Sequence, residues 1–503
     1  MVLIVLIVAA WMAWRSFGYI TGNGVMRFQV ESAAVLFLAT GLLARLVRGA
    51  RATPSVERFT ISQTNPAWTL VLWWLLATAL YWPALQIGLL SDDFVLADHA
   101  SRWQIGLVSQ QLFRPAPLAV WGLILRAGGG PFGLHVLNVL LHGTNAYLAT
   151  RLIEAYAHDR AAALLGGLLV VAFPLSPEAV AWASGIFDVM ATTCTLVGIL
   201  VARGYGSSPS VTRRAALYAS GAAALLSKET AAIMPLLIGL DMWATGRLSR
   251  TLLQDAGLLL AADASVGAIR LAYASQLIHQ RISKFMIQRW LFGTFGSSAL
   301  PWHSNVMHGM RWVVVAEALA VMSLLAAYLS RSDPIRQIRA PLAMAGWMLV
   351  STVPVMNILG VAADLQGSRY LYLPSIGWAG LLACIASSEL GVRRARQLLM
   401  VGTSIIAVTY LVGLPSHLAS WRRAADLRDQ VERAARVDAS NAACNAIQVS
   451  NLPDNVDGAY VLRNGAAEAF VRDLGIRIST ETVNGCSFSW DQKRSVLIPT
   501  VPR

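Results

Sequence analysis

The chain alternates long apolar runs with short polar or basic stretches, and most of these runs are close to twenty residues long. An α-helix needs ~20 mainly apolar residues to cross a lipid bilayer. The pattern therefore predicts an all-α polytopic membrane protein, a helical bundle of about thirteen spans. The predicted spans are 1–16, 30–47, 67–87, 133–154, 161–175, 178–202, 215–227, 230–246, 252–273, 312–330, 341–359, 371–387 and 398–415.

Two parts of this pattern have an alternative interpretation. The runs 215–227 and 230–246 could form one broken helix instead of two spans. Met1–Trp14 resembles the apolar core of a signal peptide, but it lacks a basic start and a small-residue cleavage site. We therefore interpret it as a retained span.

The composition agrees with a membrane protein. Of the 503 residues, 56% are apolar and only 13% are Asp, Glu, Lys or Arg. Soluble domains have about 25% charged residues. This difference excludes a soluble multidomain enzyme and a disordered or fibrous chain.

The net charge of +13 is explained mostly by topology. Lys and Arg accumulate in short cytoplasmic loops, and a cytoplasmic N-terminus places Arg203, Arg247, Arg250 and many other arginines in such loops. No basic face interleaved with aromatic residues remains, so nucleic acid is not an expected partner. The periplasmic side then receives 88–131, 274–311, 360–370 and the tail from 416.

The pattern divides the chain into three predicted domains: 1–66 with two helices and a cytoplasmic loop, 67–415 as the main transmembrane domain, and 416–503. The last is predicted to be a small periplasmic α/β cap, with a charged helix at Trp421–Val437 followed by short strand-like runs. Cys444 and Cys486 lie in this cap, and an oxidising periplasm would permit a disulfide between them.

Two external regions contain apolar segments that are too short to span. Residues 88–131 include a candidate surface helix, Pro117–Arg126, and residues 274–311 include the apolar run Trp290–Ala299. We interpret these as interfacial or re-entrant helices, which a membrane protein tolerates where they line a protein-walled cavity.

The adjacent acids Asp92 and Asp93 follow the third span directly. Neighbouring carboxylates repel each other, so one of them tends to hold its proton or to need a partner. A carboxylate at the membrane surface can act as general base toward an attacking hydroxyl. The alternative is that Ser91 or Asp92 caps a helix.

Further polar residues lie at external ends of the spans. His135, Asn138 and His142 are spaced by three and four, which places them on one helical stripe, either as metal ligands or as interhelical hydrogen-bonding groups. Lys228 can bind phosphate with Glu229 holding it, or the two can form a salt-bridged hairpin tip. Arg369 can engage two phosphate oxygens, or it can snorkel from a helix start. The remaining candidates are Arg114, Glu178, Asp188 and Tyr370.

Acids and phosphate-binding cations on the lipid-facing external side suggest a lipid-phosphate substrate. The ordered motifs Ser91-Asp92-Asp93-Phe94, Arg114-Pro115, His135-x-x-Asn138-x-x-x-His142, Pro177-Glu178, Asp188, Ser227-Lys228-Glu229 and Arg369-Tyr370-Leu-Tyr372 resemble those of integral-membrane GT-C glycosyltransferases. The chain is most similar to bacterial relatives of the transmembrane, tetratricopeptide-containing protein O-mannosyltransferases. The resemblance covers about 67–415.

The resemblance implies a GT-C-like catalytic domain at 67–415 in a bacterial inner membrane. It implies transfer of a sugar from a polyprenyl-phosphate donor to a periplasmic protein, glycan or lipid hydroxyl, with inversion. Asp92 or Asp93 would be the general base, with Asp93 preferred, and Lys228 and Arg369 would bind the donor phosphate. Glu178 and Asp188 would orient the base or the sugar, and the His135, Asn138 and His142 stripe would shape the external loop.

The chain also departs from that family. No tetratricopeptide array follows residue 415, two extra spans precede residue 67, and Phe187 stands where many relatives have an arginine before the intramembrane acid, here Asp188. The acceptor is therefore open. No metal is expected, although some relatives in the wider class use a divalent cation.

Two other functions suit parts of the sequence. A multispan transporter or a lipid or polysaccharide flippase would also need many spans and buried acids, although no inverted repeat is visible. A non-catalytic scaffold could bind a partner through Asn451–Tyr460, which is either an ordered binding loop or a tight connection.

Overall fold

The computed structural model describes residues 66–109, 112–205, 209–247, 249–273, 284–303, 309–329, 336–387, 393–441, 444, 446–478 and 486–500. These residues are mostly helical. The predicted spans 1–16 and 30–47 lie outside the described residues.

Each predicted span from residue 67 onward coincides with described helical structure. The helices are α1 (Pro66–Leu80), α2 (Asp92–Ser101), α3 (Pro115–Arg126), α4 (Gly130–Ala157), α5 (Arg160–Val171), α6 (Pro177–Val180), α7 (Ile186–Arg203), α8 (Val211–Ser227), α9 (Met234–Thr245), α10 (Arg250–Tyr273), α11 (Lys284–Ala299), α12 (Arg311–Leu329), α13 (Arg336–Thr352), α14 (Tyr372–Ala386), α15 (Arg393–Asn441) and α16 (Ala466–Leu474).

Short 3₁₀ segments occur at Trp82–Gln86, Ala183–Gly185, Glu229–Ile233, Val353–Val355 and Ser368–Leu371. By length and apolar composition, two described stretches could cross a membrane, Ala183–Arg203 and Arg396–Val437. The total of thirteen spans remains a prediction.

One predicted boundary differs from the structure. The span 398–415 and the tail helix 421–437 form one 49-residue helix, α15, which continues through Pro415. Proline does not end a helix when other groups compensate its missing N–H. In contrast, the predicted break within the apolar stretch 215–246 is present, since α8 ends at Ser227 and the backbone of Lys228 is extended (φ −160°, ψ 140°). Whether the two halves are one broken span or two spans stays a prediction.

Internal contacts divide the chain into two units. Among the described residues, unit 1 comprises those within 66–80, 140–177 and 187–415, and unit 2 those within 81–139, 178–186 and 416–500. The predicted division at residues 66 and 415 remains a prediction.

In unit 1, the almost wholly buried α14 packs against α13 and α5. A Cβ atom at Gly377 would lie 2.6 Å from the Met344 carbonyl oxygen, so this approach of α13 to α14 requires glycine.

In unit 2, α2 packs against α3, and the C-terminal segment forms a four-stranded mixed sheet. Its strand order is β6 (Arg477–Ile478), β3 (Ala446–Ser450), β7 (Ser487–Asp491), β8 (Val496–Pro499). Strand β3 is parallel to β6 and β7, and β7 is antiparallel to β8. The strands of the unit are β1 (Leu107–Ser109), β2 (Leu112–Phe113), β3 (Ala446–Ser450), β4 (Asn455–Val456), β5 (Ala459–Tyr460), β6 (Arg477–Ile478), β7 (Ser487–Asp491) and β8 (Val496–Pro499).

A disulfide joins Cys444 to Cys486, with the two Cα atoms 6.0 Å apart. The segment Asn451–Tyr460 contains the β4–β5 hairpin, whose turn residues Asp457 and Gly458 both have positive φ. Two such residues are typical of a tight type I′ hairpin turn. The tight connection, and not an open loop, describes this part of the segment.

Candidate functional site

The acid turn, which we define as residues 90–93 in unit 2, includes the first two residues of α2 and has a strained backbone at Ser91. Ser91 adopts φ +51°, which costs energy for a residue other than glycine. Its N–H donates to the Val461 carbonyl oxygen (2.9 Å), and the Asn464 N–H donates to Ser91 Oγ (3.3 Å). The helix-cap alternative does not hold for Ser91, which makes no side-chain capping bond.

Asp93 is fully buried, and hydrogen bonds reach both of its carboxylate oxygens. Oδ1 accepts from the Ser184 N–H (2.7 Å) and from the Ser184 hydroxyl, and Oδ2 accepts from the Leu90 N–H (2.9 Å). Burial nevertheless raises the pKa of Asp93 to about 7, because desolvation of the charged form outweighs these bonds. The carboxyl group is therefore poised to titrate near neutral pH.

Asp92 has a more open environment than Asp93. It is half-buried, and its Oδ1 accepts from Asn464 Nδ2 (2.7 Å) and from the Ser91 hydroxyl (3.4 Å). Gly465, at φ +78°, lies directly against the acid turn, since a Cβ atom there would lie 2.5 Å from the Ser91 carbonyl oxygen. The C-terminal segment 461–465 thus holds the acid turn in place.

Glu178 belongs to a buried aromatic cluster in unit 2. The Tyr460 hydroxyl donates to Glu178 Oε1 (3.0 Å), and the Tyr460 ring lies 4.8 Å from the Trp182 ring and 6.1 Å from the Trp421 ring. Trp182 Nε1 donates to the Leu90 carbonyl oxygen (3.2 Å). The cluster therefore links Glu178 to the acid turn.

His135 and Asn138, on α4, hydrogen-bond to backbone groups of unit 2. His135 Nε2 lies 2.7 Å from the Gly88 carbonyl oxygen, and Asn138 Nδ2 donates to the Trp182 carbonyl oxygen (3.0 Å). These bonds agree with the hydrogen-bonding interpretation of the stripe. Arg114 is half-buried at the residue that precedes α3.

Lys228 and Asp188 form a buried ion pair in unit 1. Lys228 Nζ lies 2.5 Å from Asp188 Oδ1, and the side chains are 4% and 10% exposed. The sequence analysis expected Glu229 to hold Lys228. The described ion pair of Lys228 is with Asp188, which lies on α7; the role expected of Glu229 stays a prediction.

A second cation lies near Lys228. The Tyr370 ring centroid is 5.3 Å from Lys228 Nζ and 5.5 Å from the Arg369 guanidinium carbon. Arg369 and Tyr370 are half-buried in the 3₁₀ segment Ser368–Leu371. We call Asp188, Lys228, Arg369 and Tyr370 the cation cluster; its formal charge is +1.

His142 is part of a separate hydrogen-bond network in unit 1. Its Nδ1 lies 2.7 Å from the Tyr372 hydroxyl and its Nε2 lies 3.1 Å from the Val171 carbonyl oxygen. Asn145 Nδ2 donates to the same Tyr372 hydroxyl (3.1 Å). Within the described residues, no group of three or more His, Cys, Asp or Glu side chains could hold a metal ion.

Sequence analysis missed several partners of the predicted residues. Asn145 lies three residues after His142 on the same helical stripe, and Tyr372 is the last residue of the Arg369-Tyr370-Leu-Tyr372 motif. Both could therefore have been found from their spacing in the sequence. The partners that lacked a local signal are Ser184, Tyr460 and Asn464, which are distant in sequence from the acids they contact.

Comparison with known proteins gives a limited result. No family model and no curated protein matches the chain. One solved structure that matches is ArnT from Cupriavidus metallidurans bound to undecaprenyl phosphate, at 14% identity and a TM-score of 0.39, over 82% of this chain and 90% of that chain. A likeness with so low a TM-score does not establish a shared fold or a shared activity.

Proposed function

We propose that the protein is a GT-C-type glycosyltransferase of a bacterial inner membrane. It transfers a sugar from a polyprenyl-phosphate donor to a hydroxyl of a periplasmic protein, glycan or lipid, with inversion at the anomeric carbon. The observation that carries this proposal is the cation cluster, which holds two cations at one tyrosine ring in a chain of mostly apolar helices.

The cation cluster suits a phosphate leaving group. The Lys228 ammonium has three N–H donors, and the Arg369 guanidinium has five in a planar fork that matches phosphate oxygens. Negative charge develops on the donor phosphate as the glycosidic bond breaks, and fixed cations stabilise it. Asp188 and Tyr370 keep Lys228 in place, so their proposed role is positioning.

The acid turn supplies the general base in this proposal. A base must come within hydrogen-bond distance of the acceptor hydroxyl. Asp92 satisfies this requirement better than Asp93, since Asp92 is only half-buried whereas both oxygens of buried Asp93 are occupied. We therefore assign proton removal to Asp92, and we assign the positioning of the turn to Asp93, Asn464 and Glu178.

The remaining predicted residues support these two groups. His135 and Asn138 hold backbone segments next to the acid turn and Trp182, and His142 holds Tyr372, two residues after Tyr370. Glu229 opens the 3₁₀ segment that follows Lys228. Arg114 precedes the surface helix α3, and we propose that it faces the polar part of the donor.

The test is sugar transfer by the full chain reconstituted in lipid vesicles. Radiolabelled polyprenyl-phosphate sugar and an extract of periplasmic acceptors are supplied, and label is measured in the acceptor fraction. Asp92→Asn is expected to lower kcat by about 10²-fold or more, because the base can no longer take the proton. Asp98→Asn, which changes a half-buried acid on the same helix that pairs with exposed Arg102, is the matched control and should keep full transfer.

The outcomes separate the rival functions. Full transfer by Asp92→Asn would refute its assignment as base. Movement of the intact donor across the vesicle membrane without transfer would instead favour a transporter or flippase. If transfer persists in a variant with Arg369→Gln at unchanged donor KM, the cation cluster does not bind the phosphate.

A further inference from the structure

A cavity of about 500 Å³ lies in unit 1, at the C-terminal end of α7, and none of the residues discussed above as site residues lines it. Its volume falls within the ~300–1,000 Å³ range of small-molecule sites. The lining comes from the ends of α7, α9 and α10. The lining residues are Ala202, Arg203, Tyr205, Asp241, Met242, Thr245, Arg247, Ser249, Arg250, Thr251 and Leu252.

The charges that line the cavity leave a positive excess. Arg203 donates from Nε (2.8 Å) and Nη2 (2.5 Å) to Asp241 Oδ1, so these two buried charges balance each other. Arg247 and Arg250 are exposed, and Arg247 Nη1 donates to the Arg203 carbonyl oxygen (3.4 Å). With three arginines and one acid, the described lining has a formal charge of +2. The Tyr205 hydroxyl, which also lines the cavity, donates outward to Asp255 (3.2 Å).

Polar donors accompany the two arginines. Helix α10 begins at Arg250, so the first N–H groups of the helix and its positive dipole end lie at this wall. Ser249 Oγ accepts from the Leu252 N–H (3.4 Å), which leaves the Ser249 hydroxyl hydrogen available to donate. Ala202, Met242 and Leu252 add an apolar part to the lining.

The position of the cavity also favours a membrane ligand. It lies where the helix that ends at Arg203 is long and apolar enough to cross a bilayer. The distribution of arginines predicts that this end is cytoplasmic. Basic pockets between transmembrane helices at the cytoplasmic surface bind anionic headgroups.

We propose that this cavity binds a phosphate-bearing anion, with Arg247 and Arg250 contacting the phosphate group. Two sources share this chemistry, the headgroup of an anionic lipid and a free soluble phosphate. A lipid would place its glycerol part against the apolar lining, whereas a soluble anion would use the arginines and the helix N-terminus alone. The site is independent of the acid turn and of the cation cluster.

The test measures thermal stabilisation of the full chain in detergent by three probes: dihexanoyl phosphatidylglycerol, dihexanoyl phosphatidylcholine and inorganic phosphate. We expect saturable stabilisation by phosphatidylglycerol and none by phosphatidylcholine. In the Arg247→Gln/Arg250→Gln variant the apparent affinity should fall about fivefold for each arginine removed. Arg160→Gln, which removes an exposed arginine outside the cavity, should bind as the wild type does.

Each outcome decides the proposal. Stabilisation by inorganic phosphate as well as by phosphatidylglycerol assigns the site to soluble anions, and stabilisation by the lipid alone assigns it to a headgroup. Equal affinities of the double variant and the wild type overturn the proposal. If the double variant does not fold, hydrogen exchange of the wild-type protein provides the test. Phosphatidylglycerol should slow exchange at residues 249–253, and unchanged exchange there would overturn the proposal.

Discussion

The ion pair between Lys228 and Asp188 gives the most direct energetic prediction. Both side chains are nearly buried, so each charge depends on the other for compensation. Removing one partner of a buried pair costs about 3–5 kcal/mol, since the other charge is left desolvated and unpaired. We therefore expect Lys228→Met to lower the free energy of unfolding by that amount.

The second substitution separates the pair from other contributions. Replacing Asp188 by Asn in the Lys228→Met background removes the unpaired charge and leaves a neutral amide, whose burial without a partner costs ~1–3 kcal/mol. The double variant should therefore recover part of the lost stability, about 2 kcal/mol, although it should remain inactive because the phosphate-binding cation is absent.

The assay is thermal unfolding of the purified chain in detergent, followed by tryptophan fluorescence. At ~2 °C per kcal/mol, a value typical of large domains, Lys228→Met should lower Tm by about 6–10 °C. The exposed Arg160→Gln is the control for loss of a positive charge. If the losses of the single variants Lys228→Met and Asp188→Asn simply add in the double variant, the described pairing is refuted.

Three further predictions concern unit 2. Gly465→Ala should reduce both stability and transfer through its collision with the acid turn, whereas Gly475→Ala, at similar φ but in open space, should cost less; equal losses would contradict the contact. In the folded protein the pKa of Asp93 is about 7, above its ordinary value of 3.8, so folding favours the protonated carboxyl group. The resulting stabilisation is fully present below pH ~4 and is lost as the pH rises through 7. It amounts to up to about 4 kcal/mol. A Tm difference between wild type and Asp93→Asn that does not change from pH 4 to 8 would contradict this. A thiol reagent should label two cysteines of the unfolded chain before reduction and four after it. Reduction of Cys444–Cys486 should lower the free energy of unfolding by about 2–5 kcal/mol. Four labelled cysteines before reduction would exclude the disulfide.

The sequence predicts the helices well where apolar runs have clear polar ends. It fails at Pro415, because a proline within an apolar run has no local signature that tells a kinked helix from a terminated one. The sequence also predicts the interruption at Lys228, because the adjacent charged residues Lys228 and Glu229 would be costly in the middle of a continuous membrane helix.

In the candidate site, too, local patterns could be predicted from the sequence and distant contacts could not. Spacing on one helix places His135 and Asn138 together, because helical periodicity is local. The partners of the acids depend on tertiary contacts between distant segments, such as that between Asn464 and Asp92, which no single-sequence pattern specifies. In the proposed function the tail therefore positions the acid turn, and we expect its deletion to abolish transfer.

The central claim is that the cation cluster binds the phosphate of a polyprenyl-phosphate donor. The most direct measurement is an experimental structure of the full chain in lipid nanodiscs with polyprenyl phosphate added. We expect a phosphate oxygen within ~3.2 Å of Lys228 Nζ or of the Arg369 guanidinium. A polyprenyl phosphate bound to other cations, with neither Lys228 nor Arg369 in contact with it, would contradict the account.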